Sequence, residues 1–300
     1  MLPWELLGAV VGAGLASGRE IASFFGRYGA WGFAGIALAV GALLLLGGTA
    51  LPAAWRGRWP ERLWRTLLLL LLISTGGAML AGAGEVAALT LPVYGAYWLG
   101  VAGTLLLAWC LAKRTVTGLM WVSRAMLLVL AAMIALGLTL PPMQAVALTE
   151  PPIPMALLRG AAYGGFNAAL LHPVMAGAAG LSPKERRRSL IIACLLAGAL
   201  LTAGNAVLLR HPALRGEALP FIRLMAQLGQ PGFWLGAAAL YLAILTTLTV
   251  CIRSAGGSWL AAGGIVLVAL IGFSGVVDAA YPLLGGGCAV MLAAARARRK

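Results

Sequence analysis

The stretch VVGAGLASGRE, residues 10–20, decides how this chain is read. It sits in an apolar segment fit to enter a bilayer, thins to glycine, alanine and serine, and then runs into Arg19 and Glu20. Gly8, Gly12, Gly14 and Gly18 include two GxxxG spacings, and close helix packing accounts for those by itself. It does not account for the charged pair, because a charge near the bilayer centre costs about 2.5–3.5 kcal/mol on insertion scales. A helix that unwinds across GAGLASG, residues 12–18, does: freed amides and carbonyls then face a cavity, and Glu20 enters the first turn of an outer half-helix, where amide dipoles favour a carboxylate.

The rest of the chain sets that segment in a membrane. Of 300 residues, 62% are hydrophobic and 10% charged, and the mean hydropathy is +0.96, well outside soluble-domain composition. Apolar stretches recur from Trp4 to Arg296, so none is read as a cleavable targeting segment. The net charge of +14 lies in short gaps between these stretches, which argues for topology and against nucleic-acid binding. Cys110, Cys194, Cys251 and Cys288 stand singly in apolar surroundings as packing residues, and two histidines make no metal site.

Windows of about 20 apolar residues place spans near 4–25, 31–52, 65–91, 97–112, 117–140, 155–180, 187–209, 232–252, 255–273 and 276–295. With a cytoplasmic N-terminus, inward gaps hold fifteen Lys and Arg residues, among them Arg56, Lys113, Arg114, Lys184, Arg253, Arg299 and Lys300. Outward gaps hold five: Arg27, Arg159, Arg210, Arg215 and Arg223. That bias puts both termini in the cytoplasm of a multi-pass plasma (cell inner) membrane protein. Trp4, Trp31, Trp98, Trp121 and Trp234 fall near span ends, where the interface or simple packing suits them. The segment RGEALPFIRLMAQLGQPG, residues 215–232, reads as an amphipathic outer helix, either a lid or a helix lying in the interface.

A second anomaly lies in the sixth span. YGGFNAALLHP, residues 163–173, sets Gly164, Gly165 and Asn167 mid-span and ends in His172-Pro173, where proline removes an amide. Breaks in spans one and six correspond if ten spans form two sets of five. Because five is odd, the second set (155–295) enters the membrane opposite to the first (1–140), within a single transmembrane domain. Paired broken helices in inverted halves point to the central site of a secondary transporter.

GAVVGAGLASGREIASFFGRYGAWGFAGI, residues 8–36, resembles the opening of the YkvI family of bacterial membrane proteins, whose pattern runs VGAGFASGQE, then FF, a glycine turn and WG. YGGFN at 163–167 and AILTT at 243–247 resemble it more weakly, and Arg19 stands where that family usually has Gln. The family is similar to the amino acid-polyamine-organocation superfamily. That resemblance implies an all-α integral membrane fold of the LeuT type, a five-plus-five inverted repeat with substrate held at broken first and sixth helices. It also implies sodium held between carbonyls of the first helix and hydroxyls of the eighth, for which Thr246 and Thr247 are the candidates, unless these hydroxyls bond back to their own helix.

The expected substrate-binding set is Gly12, Ala13, Gly14, Gly18, Glu20, Gly164, Gly165 and Asn167. Half-helix amides suit an anionic group and freed carbonyls a cation, so a zwitterion such as an amino acid fits both. Glu85 interrupts the third span as either a proton-coupling group or the partner of a cation such as Arg19. Asp278 reads as a hydrated interfacial carboxylate, Arg124 as a snorkelling cation, and His172 as a proton carrier or a satisfied buried imidazole.

The expectation is an ion-coupled secondary transporter of a small solute, with Na+ or H+ as coupling ion, no other cofactor and no nucleic-acid partner. No Walker A motif is present, and no nucleophile, base and orienter cluster in sequence, so ATP driving and enzymatic activity are not expected. The alternative is a ligand-sensing membrane subunit that keeps the fold without flux.

Overall fold

A computed structural model describes residues 2–51, 55–113, 119–143, 151–178 and 180–298, so Arg114, Arg299 and Lys300 lie outside the described residues. Those residues are helical throughout their regular structure. In chain order the helices are α1 (Leu2–Val10), α2 (Ala13–Ser17), α3 (Arg19–Phe24), α4 (Trp31–Leu46), α5 (Trp59–Thr90), α6 (Ala96–Ala112), α7 (Leu119–Thr139), α8 (Ile153–Gly177), α9 (Pro183–Arg210), α10 (Pro220–Met225), α11 (Gly229–Ser254), α12 (Trp259–Ala269), α13 (Phe273–Gly275) and α14 (Tyr281–Ala297).

Among the described residues, four segments are long and apolar enough to cross a membrane: Trp59–Thr90, Pro183–Arg210, Pro220–Ser254 and Phe273–Ala297. Shorter apolar helices at Trp31–Leu46, Ala96–Ala112, Arg124–Thr139 and Trp259–Ala269 accompany them. Polar side chains cap the starts of α9 and α12. At α9 a capping box closes both ways: the Ser182 hydroxyl accepts from the Glu185 amide at 3.2 Å, and the Glu185 carboxylate accepts from the Ser182 amide at 3.0 Å. At α12 the Ser258 hydroxyl accepts from the Ala261 amide.

The bundle has two ends. One collects both termini and most basic loops: the Arg296 guanidinium donates to the Leu45 carbonyl, and Lys113 lies 5.2 Å from the centre of Trp109, itself stacked on Trp259. We call this the terminal end. Helix α8 packs along both α4 and α14, α1 along α9, α5 along α11 and α12, and α6 along α11.

The first span is broken, as its sequence predicts, but differently. Rather than unwinding over 12–18, it stops at Val10, is extended at Gly12, re-forms as α2, and turns at Gly18, whose φ of 82° lies in the left-handed region. The short helix persists because its residues still bond locally, Ala16 N–H to Gly12 and Gly18 N–H to Leu15. The sixth span corrects the expectation outright: α8 is continuous from Ile153 to Gly177 with Pro173 inside it. Its glycines are filled by neighbours. A Cβ at Gly164 would meet the Ala39 carbonyl oxygen at 2.7 Å, and one at Gly165 would meet the Ala289 amide nitrogen at 2.7 Å. Small residues there admit α4 and α14 rather than a cavity.

Within residues 215–232 the helix packs over the bundle rather than lying in the interface. Phe221, Ile222, Leu224 and Met225 of α10 are buried, and Phe221 sits over Gly18, 2.9 Å from where a Cβ would stand.

Candidate functional site

The site is built around the interrupted first span, whose two breaks are held by different means. Ser17 holds the second. Its hydroxyl donates to the Gly14 carbonyl at 2.7 Å and accepts from the Arg19 amide at 3.0 Å, so one side chain spans the turn at Gly18. The first break, at Val11 and Gly12, leaves the last carbonyls of α1 and the first amides of α2 without helical partners.

That break opens on a cavity of ≈ 440 Å³ whose lining includes Glu5, Gly12, Thr75, Arg124, Thr247 and Cys251. These residues come from the terminal-end parts of α1, α5, α7 and α11, so the cavity belongs to that end of the bundle. Thr247 stands across from Gly12, its hydroxyl 3.7 Å from where a Cβ would lie. Thr246 also lines the cavity, but its hydroxyl donates to the Ala243 carbonyl of its own helix at 2.9 Å. Arg124 does not snorkel to an empty surface. Its guanidinium lies 5.1 Å from the centre of the Trp121 ring, and among the described residues its buried Nη2 has no hydrogen-bond partner.

The opposite end is closed by charge. Asp278 is not a lone hydrated carboxylate: its Oδ2 takes Arg19 Nη2 at 2.6 Å and Arg27 Nη2 at 3.3 Å, while its backbone carbonyl takes Arg159 Nη1 at 2.9 Å. Arg19 also donates to the Glu217 carbonyl at 3.0 Å, tying α3 to the segment that leads into α10. A single turn of π-helix, Val276–Ala280, carries Asp278 into this cluster, a local widening of the kind often found at functional positions. The pairing settles what Arg19 does: it meets Asp278, not Glu85. Glu85 lies partly buried on α5 within electrostatic reach of Tyr97, away from the cavity lining.

Between the closed end and the cavity sits Glu20. It is 5% exposed and doubles back so far that a Cβ on Gly14 would coincide with its carboxyl group. The Tyr163 hydroxyl donates to its Oε2 at 3.4 Å. Tyr163 is wedged edge-on against Phe24 and Phe25, and Phe166 stacks on Tyr281 with centroids 4.5 Å apart, so aromatic rings frame the carboxyl. Asn167 points one amide hydrogen at the Tyr163 backbone carbonyl at 3.0 Å, leaving its Oδ1 buried without a partner.

The structure thus brings together Gly12, Thr246 and Thr247 at the cavity, and Gly14, Glu20 and Asn167 around Tyr163. Ala13 is buried within α2, Gly18 forms the turn, and Gly164 and Gly165 serve helix contacts. His172 packs edge-on against Trp64 at 5.4 Å. Sequence reasoning missed Tyr163, Tyr281 and Thr75, whose only visible signal is a hydroxyl set in an apolar run.

The chain matches no known protein-family profile. It is similar to the uncharacterized membrane protein YkvI of Bacillus subtilis (strain 168), 34% identical over 97 residues. The match spans 28% of this chain and 28% of that protein, well under two thirds of its length. Together with the apolar helices it makes this a membrane protein distantly related to YkvI.

Proposed function

We propose that the chain is a secondary transporter of a small solute, working by alternating access around the broken first helix. The observation that carries this reading is the asymmetry of the two ends: an ion-paired seal on one side of the break and a ≈ 440 Å³ cavity on the other. In this reading the terminal end faces the cytoplasm, in line with the excess of Lys and Arg there, and the protein is closed outward and open inward.

Helix packing supports the inverted five-plus-five repeat. Shifting each partner by five spans turns the α4–α8 contact into α9–α1, α14–α8 into α7–α1, and α12–α5 into α6–α11, and every one of these pairs is in contact. The pair α5–α11 maps onto itself. Such exchange of contacts is what two halves of opposite orientation produce. The continuous α8 departs from a repeat with two broken helices, so the working discontinuity lies in the first span alone.

A zwitterionic solute such as an amino acid suits the cavity, which offers Arg124 and Glu5 as opposite charges and the freed backbone groups near Gly12. We assign the chain no enzymatic role. The test is counterflow in proteoliposomes with a panel of labelled amino acids: internal unlabelled solute should accelerate uptake of the same labelled solute. A solute that raises the thermal transition of the purified protein yet never exchanges across the membrane would instead make it a sensing subunit.

A further inference from the structure

Glu20 presents a problem of charge. Among the described residues no cation lies within ion-pair distance of its carboxyl group, and the one side chain bonded to it is Tyr163, at a long 3.4 Å. The charged groups on the elements packed around α3 are engaged elsewhere. Arg19 and Arg27 meet the Asp278 carboxylate, Arg159 its backbone carbonyl, and Arg215 donates to the Leu208 carbonyl at 3.2 Å. Tyr281 is the remaining titratable group within electrostatic reach. An ionised carboxylate so placed bears a desolvation cost that neither the seal nor Tyr163 offsets, whereas the neutral acid is a small polar group with one hydrogen-bond partner.

The way to water leads past Tyr281, which lies within electrostatic reach of Glu20 and beside Thr75. The Tyr281 and Thr75 hydroxyls are both buried with no regular hydrogen bond among the described residues. Thr75 lines the cavity, so Tyr281 links the surroundings of Glu20 to the terminal-end cavity.

We propose that Glu20 is the proton-carrying group of this protein, protonated in the outward-closed state seen here and discharged through Tyr281 and Thr75 into the cavity. On discharge the acid O–H bond breaks and its electron pair stays on the carboxyl oxygen. The proton passes to the Tyr281 hydroxyl as that hydroxyl passes its own onward, and cavity water receives the last one. Its role in coupling rests on the transporter reading; its protonation does not.

The experiment is infrared spectroscopy of the purified full-length protein, titrated from about pH 5 to about pH 10, beyond the ordinary carboxyl range. The acid carbonyl band should persist at neutral pH, vanish in Glu20→Gln and remain in Glu85→Gln. Identical neutral-pH spectra for the wild type and a folded Glu20→Gln would overturn the proposal. If Glu20→Gln does not fold, Glu20→Asp replaces it, and the band should then shift; an unmoved band overturns the proposal equally. Tyr281→Phe should keep the band but slow its deuterium exchange severalfold, and an unchanged exchange rate removes the route. A Glu20 band in a protein that exchanges no solute would discard the transporter reading alone. Sodium-driven exchange indifferent to Glu20→Gln would discard the coupling role and leave transport standing.

Discussion

The first span and α8 have similar glycine content, yet one is interrupted twice and the other is one continuous helix. The bend is held by polar contacts: Ser17 across Gly18, Arg19 on Asp278, the Glu20 carboxyl folded onto Gly14. The continuous helix is held by backbone lying against backbone, with the Gly35 carbonyl occupying the place of a side chain at Gly160 and the Gly285 carbonyl doing so at Gly165. Glycine thus has two uses here. In α8 it lets a neighbour in, and at Gly18 it lets the chain turn.

Removing the strongest polar tie should have the largest effect. Asp278→Ala leaves the Arg19 guanidinium, whose side chain is 9% exposed, without its carboxylate. Truncating one partner of a buried pair costs about 3–5 kcal/mol, and the 30% exposure of Asp278 places this case toward the lower figure. The seal should open with it. In a cysteine-free background, Ala9→Cys in the cavity should react with an impermeant maleimide from the terminal side only, and Asp278→Ala should add reactivity from the other side. Labelling that stays one-sided would mean that the ion pairs do not hold the bend closed.

Gly165→Ala attacks the continuous helix. Its new methyl group would meet backbone of α14, which cannot swing aside, so a thermal melt should show a loss of about 1–3 kcal/mol. Gly18→Ala comes next, at about 1–2 kcal/mol for a left-handed alanine. Adding Phe221→Ala should relieve the ring contact but not the backbone cost, and full recovery in that double variant would show that the turn itself is unstrained. The smallest effect belongs to Gly41→Ala in α4, where nothing lies within 4 Å. There a gain of up to about 1 kcal/mol is expected, as for any unobstructed helical glycine.

These contrasts explain what could be read from the residues alone. Arg19 and Glu20 betrayed the first break because charge within an apolar segment needs a reason visible at that very position. Gly164 and Gly165 misled because a missing side chain does not say what fills its place, and Ala39 and Ala289, which do, lie far off in sequence. The span positions were legible from hydropathy, with α8, α9 and α11 starting within a few residues of expectation, while α5 starts at Trp59 rather than near 65. The seal was not, since Arg19 and Asp278 are 259 residues apart and Asp278 alone looks like an ordinary carboxylate near an interface. Nor could sequence turn Glu20 toward Gly14, because that depends on the αL turn at Gly18.

Phe221 rests on that turn from a segment that also receives Arg19 at the Glu217 carbonyl. The connection between α9 and α11 is therefore a handle on the bend, reachable from the face away from the termini. A binder that grips residues 212–228 would clamp the first helix in its present shape without entering the cavity, and one that pulls Phe221 away would free it. Control of this protein from outside the bilayer needs no access to its interior.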